Sequence, residues 1–260
     1  MKRYVISLIA LVFIVVPMLQ AGWVVVQTTT EEDGFSETEK VYIQDNKIRN
    51  DLDEQTTVMN LESGELLLVN HPDKTYWQGE YSQMMQQSQN AAKQHMEDMM
   101  EEMTPEQREQ YQQYMDQMDD APMAAEEHET HEVEIAKKST TDKIAGYSAR
   151  LHDIYVDGEK VEELWISEDL PVLDEVDVEK LDQFMSQSMF GEAEDYNYED
   201  SDAYRDLIKT GFPLKTVEYF EGEVGATTLV TDITEASLAE SEFKAPAGYS
   251  EVTIQELWQK

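Results

Sequence analysis

The 260-residue chain is strongly acidic, with 56 aspartates and glutamates against 19 lysines and arginines and a formal net charge of −37. This charge excludes nucleic-acid binding through phosphate neutralisation and disfavours anionic membrane surfaces, because both require a basic face. The chain has no cysteine, which excludes disulfides, thiolate metal sites and cysteine nucleophiles. Its thirteen tyrosines, seven phenylalanines and four tryptophans indicate a folded core rather than a disordered acidic tail.

The first segment has the pattern of a secretory signal. Lys2 and Arg3 precede an apolar run that ends near Gln20-Ala21-Gly22, which matches a charged start, an apolar middle and a small-residue exit. We therefore predict a signal peptide over residues 1–21 and a mature chain in the periplasm or cell envelope. The alternative is a retained anchor, because apolar character resumes at residues 23–26. After signal cleavage we expect no transmembrane segment.

Six short β-type runs follow the signal and are separated by turn residues. Asp45-Asn46 and Ser63-Gly64 supply residues that tolerate positive φ, as tight hairpin turns require. This spacing predicts an antiparallel meander. The predicted strands cover residues 24–30, 39–44, 47–52, 56–61, 65–69 and 75–78.

A Met- and Gln-rich region then interrupts the sheet. Between about residues 81 and 120 the apolar residues recur at helical spacing. Thr104-Pro105-Glu106-Gln107 combines an N-cap, a proline at the first helical position and a capping-box glutamine. We predict an inserted helical hairpin here, followed by a polar linker over residues 121–129.

Strands return in the second half of the chain. They are predicted at about residues 133–138, 146–156 and 161–167, and Asp157-Gly158 is a strong two-residue hairpin signal. Amphipathic helices are predicted at 176–190 and 203–209. Strands at 214–220 and 224–233, and a last one after Pro246-Ala247-Gly248, complete a single domain over residues 22–260.

Four short segments carry a family likeness. The first is Lys47-Ile48-Arg49 after residues 41–43, and the second is Asp73-Lys74-Thr75-Tyr76-Trp77. The third is Ile144-Ala145-Gly146-Tyr147 with Glu163-Leu164-Trp165-Ile166-Ser167, and the fourth is Gly211-Phe212-Pro213-Leu214-Lys215 leading to residues 243–249. They resemble the LolA/LolB-like lipoprotein-carrier superfamily, and most of all the exported group called domain of unknown function family 4412. The likeness spans roughly residues 23–250. It implies an α+β fold, a strongly curved antiparallel open half-barrel with covering helices and an apolar cavity for acyl chains.

In such a half-barrel the inner sheet face lines the cavity. The Met-rich hairpin departs from the lipoprotein carrier, and we interpret it as a lid over the cavity because methionine fills adaptable apolar surfaces. The leading hypothesis is therefore an exported, non-enzymatic protein that binds a lipid, an acyl chain or a lipoprotein segment without a cofactor. The cavity candidates are Tyr42, Leu66, Leu68, Tyr76, Trp77, Tyr147, Leu151, Tyr155 and Trp165. The lid candidates are Met85, Met96, Met99, Met103, Tyr111, Met115 and Met118.

Two alternatives to lipid binding remain open at this point. Nine of the fourteen methionines lie between Met84 and Met123, and soft thioether ligands select Cu(I). An envelope metal-binding protein would use His95, Met96, Met99, Met103, His128 and His131. The other alternative is a protein-interaction module that docks a partner through the hairpin. The sequence has no Gly-rich phosphate loop and no Gly-x-Ser-x-Gly elbow, so no enzyme class is indicated.

Overall fold

A computed structural model describes residues 22–87, 99–100, 103–104, 107, 131–186 and 198–258. The predicted signal peptide, most of the predicted hairpin and the linker at 121–129 lie outside the described residues. Twelve strands are described: β1 (Gly22–Glu31), β2 (Ser36–Gln44), β3 (Lys47–Leu52), β4 (Gln55–Asn60), β5 (Glu65–Asn70), β6 (Thr75–Glu80), β7 (Val133–Ile144), β8 (Tyr147–Val156), β9 (Glu159–Ser167), β10 (Phe212–Phe220), β11 (Glu223–Ala236) and β12 (Ser250–Glu251). The described helices include α1 (Val178–Ser186), α2 (Asp202–Ile208) and α3 (Ile254–Trp258), and short 3-10 helices cover Pro171–Glu175, Tyr198–Asp200 and Glu240–Phe243.

The strands form one open sheet in the order β12-β6-β5-β4-β3-β2-β1-β11-β10-β9-β8-β7. Every neighbouring pair is antiparallel except β12 with β6, which is parallel. The sheet therefore consists of two meanders, β1–β6 and β7–β11, which are joined where β1 pairs with β11. The broad prediction of an open, mostly antiparallel α+β sheet is confirmed.

The hairpin registers follow from the turn residues. Asp45 and Asn46 both have positive φ (51° and 59°) and connect β2 to β3, so that Gln44 pairs with Lys47. Asp157 and Gly158 (φ 51° and 84°) likewise connect β8 to β9. Positive φ at both central residues is the geometry of the type I′ turn, whose twist matches that of the strands.

The predicted last strand after Pro246-Ala247-Gly248 is present as β12, but it is short. Only Ser250 and Glu251 extend the sheet, and they run parallel to β6. The chain then enters α3, because Thr253 and Glu256 form a capping box: the Thr253 N–H donates to Glu256 Oε2 at 2.9 Å and the Glu256 N–H donates to Thr253 Oγ1 at 3.2 Å. This short helix buries Ile254 and Leu257 against the main core.

Short helical segments pack on the sheet. Residues 81–87 are helical and directly follow β6, and α1 is described through Ser186 within the predicted range 176–190. Residues 99–100 and 107 are also helical, and the predicted capping box is present: the Thr104 N–H donates to Gln107 Oε1 at 2.9 Å, and the Gln107 N–H donates to Thr104 Oγ1 at 3.4 Å. Among the described residues, no helix is long and apolar enough to cross a membrane.

The buried apolar residues fall into three clusters. The largest joins β1, β2, β5 and β6 to the helical segments and contains Trp23, Val25, Ile43, Leu66 and Trp77. A second cluster packs Leu207 of α2 onto Ile154, Leu164 and Ile166. A third lies on the other face of β4 and β5, where Phe243 and Tyr249 pack against Val58, Leu67 and Val69.

Candidate functional site

The main apolar cluster is the place where the helical segments meet the sheet. Tyr81 and Met84 from the helical residues 81–87, and Phe184 from α1, are buried in the same cluster as Leu66 and Trp77. The rings of Tyr81 and Phe184 contact each other, with their centroids 6.2 Å apart. We call Trp23, Ile43, Leu66, Trp77, Tyr81, Met84 and Phe184 the apolar site.

Trp77 links the helical segment to the sheet. A Cβ atom on Gly79 would lie 2.8 Å from the Trp77 ring and 2.9 Å from Gln83 Oε1, so the ring and the helix approach the backbone at a position that only glycine fits. At the other end of the segment, Trp77 Nε1 donates a hydrogen bond to Gln87 Oε1 at 3.2 Å. The first two turns of the Met-rich region are thus held on the apolar site.

The predicted cavity residues divide between the two faces of the sheet. Leu66 and Trp77 lie in the apolar site, and Leu68, Tyr147 and Trp165 are partly buried against the same cluster. Leu151 is half-buried and lies opposite Trp165 in the β8–β9 register.

Tyr42 and Tyr76 lie on the other face, whereas Tyr155 has the strand parity of Leu151. Tyr76 packs against the third cluster, on the other face. Tyr42 pairs with Arg49, which in turn pairs with Val58 of that cluster. The reason is alternation: Tyr42 lies between Val41 and Ile43, and successive residues of a strand point to opposite faces. Tyr155 donates from its hydroxyl to Asp153 at 3.3 Å.

The lid and metal candidates are only partly described. Met85 is partly buried against the main cluster, Met99 is exposed and Met103 is half-buried. His131 Nδ1 lies 2.5 Å from Asp157 Oδ2, and this contact lowers the pKa of Asp157. Within the described ranges, no group of three His, Cys, Asp or Glu residues is arranged to hold a metal. His95, Met96, Tyr111, Met115, Met118 and His128 lie outside the described residues.

A second site, which the sequence reasoning missed, surrounds a buried glutamate. Glu162 of β9 is 2% exposed. Its Oε2 lies 3.4 Å from the Tyr198 hydroxyl and its Oε1 lies 3.4 Å from the Tyr204 hydroxyl, and the two tyrosine rings are edge-to-face at 5.7 Å. An open cleft of about 230 Å³ adjoins this group, and we call it the glutamate cleft. Its lining includes Gln27, Glu162, Glu199, Tyr204, Lys215, Thr216, Glu218 and Thr228.

The surroundings of Glu162 favour its protonated form. Burial, together with the negative charges of Glu199 and Glu218, raises the pKa of Glu162 to about 7, although the hydroxyls of Tyr204 and Tyr198 act in the opposite direction. Glu218 lies directly opposite Glu162 in the β9–β10 register. The signal for this burial was present in the sequence, because Glu162 shares strand parity with the buried Leu164 and Ile166.

The fold and the two sites define a mostly antiparallel open-sheet α+β protein with an apolar site under helices and a separate acidic cleft. Residues 106–249, which are more than half of the chain, match the family described as "Domain of unknown function (DUF4412)". The chain belongs to this family, as the sequence resemblance indicates. The match is shorter than the expected span of 23–250 and leaves β1–β6 outside it.

Solved structures show weaker likenesses to the chain. MucB in complex with MucA(peri) is 11% identical over 90% of this chain and 57% of that chain, with a TM-score of 0.39. The MucA/MucB complex of Pseudomonas aeruginosa is 11% identical over 91% of this chain and 59% of that chain, with a TM-score of 0.38. PNGF-II is 12% identical over 91% of this chain and 32% of that chain, with a TM-score of 0.37. The chain therefore spans 32% to 59% of the length of these structures. No curated protein sequence matches the chain.

Proposed function

We propose that the protein is an exported, non-enzymatic binding protein that holds an apolar chain in the apolar site, between the sheet and its helical segments. The ligand is an acyl chain of a lipid or the apolar segment of a lipoprotein. In this proposal the sheet curves as a half-barrel, and the Met-rich region continues from residues 81–87 as the lid of the site.

The contact of Tyr81 with Phe184 over the sheet, with Met84 buried in the same cluster, is the observation that carries the proposal. Two helical segments that are distant in sequence meet on one apolar surface, and each of them adds apolar side chains to it. A ligand that parts them replaces side-chain contacts by contacts with its own methylenes, so the apolar surface stays covered.

The energetics permit such an exchange. Lifting residues 81–87 breaks the Trp77–Gln87 hydrogen bond, which contributes about 1 kcal/mol net, and separates the Tyr81 and Phe184 rings, whose pairing contributes about 1 kcal/mol. Each methylene of a ligand that leaves water contributes about 0.8 kcal/mol in return. Opening the site also exposes the buried Tyr81 and Met84 side chains, which costs about 1.5–3 kcal/mol for each. The total cost is then roughly 5–8 kcal/mol, and burial of about six to ten methylenes offsets it.

The test begins with native mass spectrometry and lipid extraction of the protein from its own envelope fraction. We expect a bound lipid mass, and we expect the delipidated protein to bind palmitate with a change in tryptophan emission, because Trp77 and Trp23 lie in the site. The absence of both the co-purified lipid and the palmitate response would overturn the proposal.

A pair of matched variants separates loss of binding from loss of stability. Phe184 of α1 and Leu207 of α2 are similarly buried under different helices, the first in the main cluster and the second in the second cluster. We expect Phe184→Ser to weaken palmitate binding and Leu207→Ser to leave it unchanged, although both variants lower the unfolding temperature. Equal loss of binding in both variants would contradict the assigned site.

A further inference from the structure

Two neighbouring hairpin turns at one end of the sheet present apolar side chains to solvent. Phe35, between β1 and β2, is 57% exposed, and Phe220, at the end of β10, is 74% exposed. Val224, at the start of β11, is exposed as well. Single exposed apolar residues are ordinary on protein surfaces, whereas a group of them on adjacent turns marks a contact surface.

The two turns are joined through the backbone. The Glu32 N–H donates to the Gly225 carbonyl at 2.8 Å, which extends the β1–β11 pairing as far as the turns. A Cβ atom on Gly225 would lie 3.8 Å from Phe220 Cβ, so the Phe220 side chain begins above the residue that connects the turns. Phe35 and Phe220 therefore flank the joined turns on one surface, which we call the tip surface, whereas Val224 pairs with Tyr219 and points to the face opposite Phe220.

The backbone of the tip surface is fixed. The Phe35 N–H donates to Asp33 Oδ1 at 2.7 Å, and the Phe35 carbonyl accepts from the Glu31 N–H at 2.9 Å. Glu221 and Gly222 have φ of 51° and 84°, as a tight two-residue hairpin turn requires. Because the turns are ordered in advance, a partner does not have to order them, and this favours binding.

The charge around the tip surface has a single sign. Residues 31–37 contain four acidic side chains and residues 218–224 contain three, and neither stretch contains a lysine or an arginine. Glu32, Asp33, Glu221 and Glu223 are exposed. Such a field repels anionic membrane surfaces and attracts a basic protein surface.

We infer that the tip surface docks a partner protein that presents lysine and arginine side chains around an apolar pocket. The aromatic side chains enter the pocket, and the surrounding glutamates and aspartates pair with the basic rim. This interaction is independent of the apolar site, which involves a different group of residues.

The test selects peptides from a random phage-displayed library on the purified chain. The peptides are then assayed on wild type, on the double variant Phe35→Ser/Phe220→Ser, and on the control variant Trp258→Ser. Trp258 is 58% exposed in α3 and lies outside the tip surface, so the control removes an equally exposed aromatic residue. Thermal unfolding of all three proteins verifies that these surface changes leave the fold intact.

We expect selected peptides that combine lysine or arginine with large apolar residues and that bind the double variant at least about ten-fold more weakly than wild type or the Trp258 variant. We also expect the affinity to fall between about 50 and 500 mM salt, because rim charges are screened. Peptides that bind all three proteins equally would overturn the inference, since charge alone would then explain the binding. Binding of the wild type, but not the double variant, to phosphatidylcholine vesicles would overturn it in favour of a membrane.

Discussion

Replacing Glu162 by glutamine is expected to stabilise the protein at neutral and alkaline pH. The carboxyl group is 2% exposed, and its pKa is raised to about 7 by burial and by Glu199 and Glu218. Between about pH 4.5 and 7 the folded state therefore binds more protons than the unfolded state, so wild-type stability falls as the pH rises through this window. Glutamine is uncharged, like the protonated carboxyl group, so the variant does not lose stability at this position as the pH rises.

The size of the effect follows from the two pKa values. The difference between 4.5 and about 7 corresponds to about 3 kcal/mol, at about 1.4 kcal/mol per pKa unit. The Glu162→Gln variant should match wild type at about pH 3, where the carboxyl group is protonated in both states, and should be more stable by up to about 3 kcal/mol at about pH 8. Urea unfolding followed by tryptophan emission across this pH range measures the difference.

Glu163 provides the matched control at the next position of β9. Its carboxylate contacts Lys160 and accepts a hydrogen bond from the Tyr219 hydroxyl at 2.9 Å. Glu163→Gln removes a favourable ion pair, so we expect unchanged or lower stability at alkaline pH. The reasoning is refuted if Glu162→Gln keeps the wild-type pH dependence, or if it is less stable than wild type at about pH 8.

Three further substitutions test the packing, the ion pairs and the caps. Gly79→Ala places a methyl group within 2.8 Å of the Trp77 ring and should cost about 1–3 kcal/mol in urea unfolding, with a change in tryptophan emission. Arg49→Ala removes donors to the Glu242 carbonyl (2.8 Å) and carboxylate (3.2 Å) and should cost about 1–3 kcal/mol in the same assay. Thr104→Ala removes the acceptor of the Gln107 N–H and should cost about 1 kcal/mol of local stability, measured as faster hydrogen exchange of the Gln107 amide.

Conservative variants distinguish these effects from general sensitivity. Gly225→Ala has its nearest contacts at 3.8 and 3.9 Å and should be much milder than Gly79→Ala. Arg49→Lys keeps the charge but not the forked geometry of the guanidinium, so it should recover only part of the stability that Arg49→Ala loses. Thr104→Ser keeps the hydroxyl acceptor and should preserve the slow exchange. If the two variants of a pair changed stability or exchange equally, the contact assigned to that residue would be contradicted.

Turn chemistry made much of the sheet predictable. Asp45-Asn46 and Asp157-Gly158 each carry a local signal for positive φ, and two-residue turns set the pairing of the flanking strands without any distant contact. The strand partners across the centre, β1 with β11, had no such local signal. They are distant in sequence and are matched only by tertiary packing.

The sites were less predictable than the strands. Aromatic character alone groups Tyr42 and Tyr76 with Trp77, although strand alternation separates Tyr76 from Trp77. Glu162 was missed because a chain with 56 acidic residues makes any single carboxylate look ordinary. Its burial depends on Tyr198 and Tyr204, which approach from a separate segment.

The pairing of β1 with β11 has a consequence for how the chain reaches its final structure. Thr231 Oγ1 donates to the Val26 carbonyl across a sequence separation of 205 residues, so one edge of β1 has no partner until β11 has been synthesised. Loop closure over such a distance is slow, and an unpaired apolar strand edge is a template for aggregation. A chain that stops after β10 should therefore self-associate through residues 22–31, and the complete chain should depend on protection of this strand while it folds.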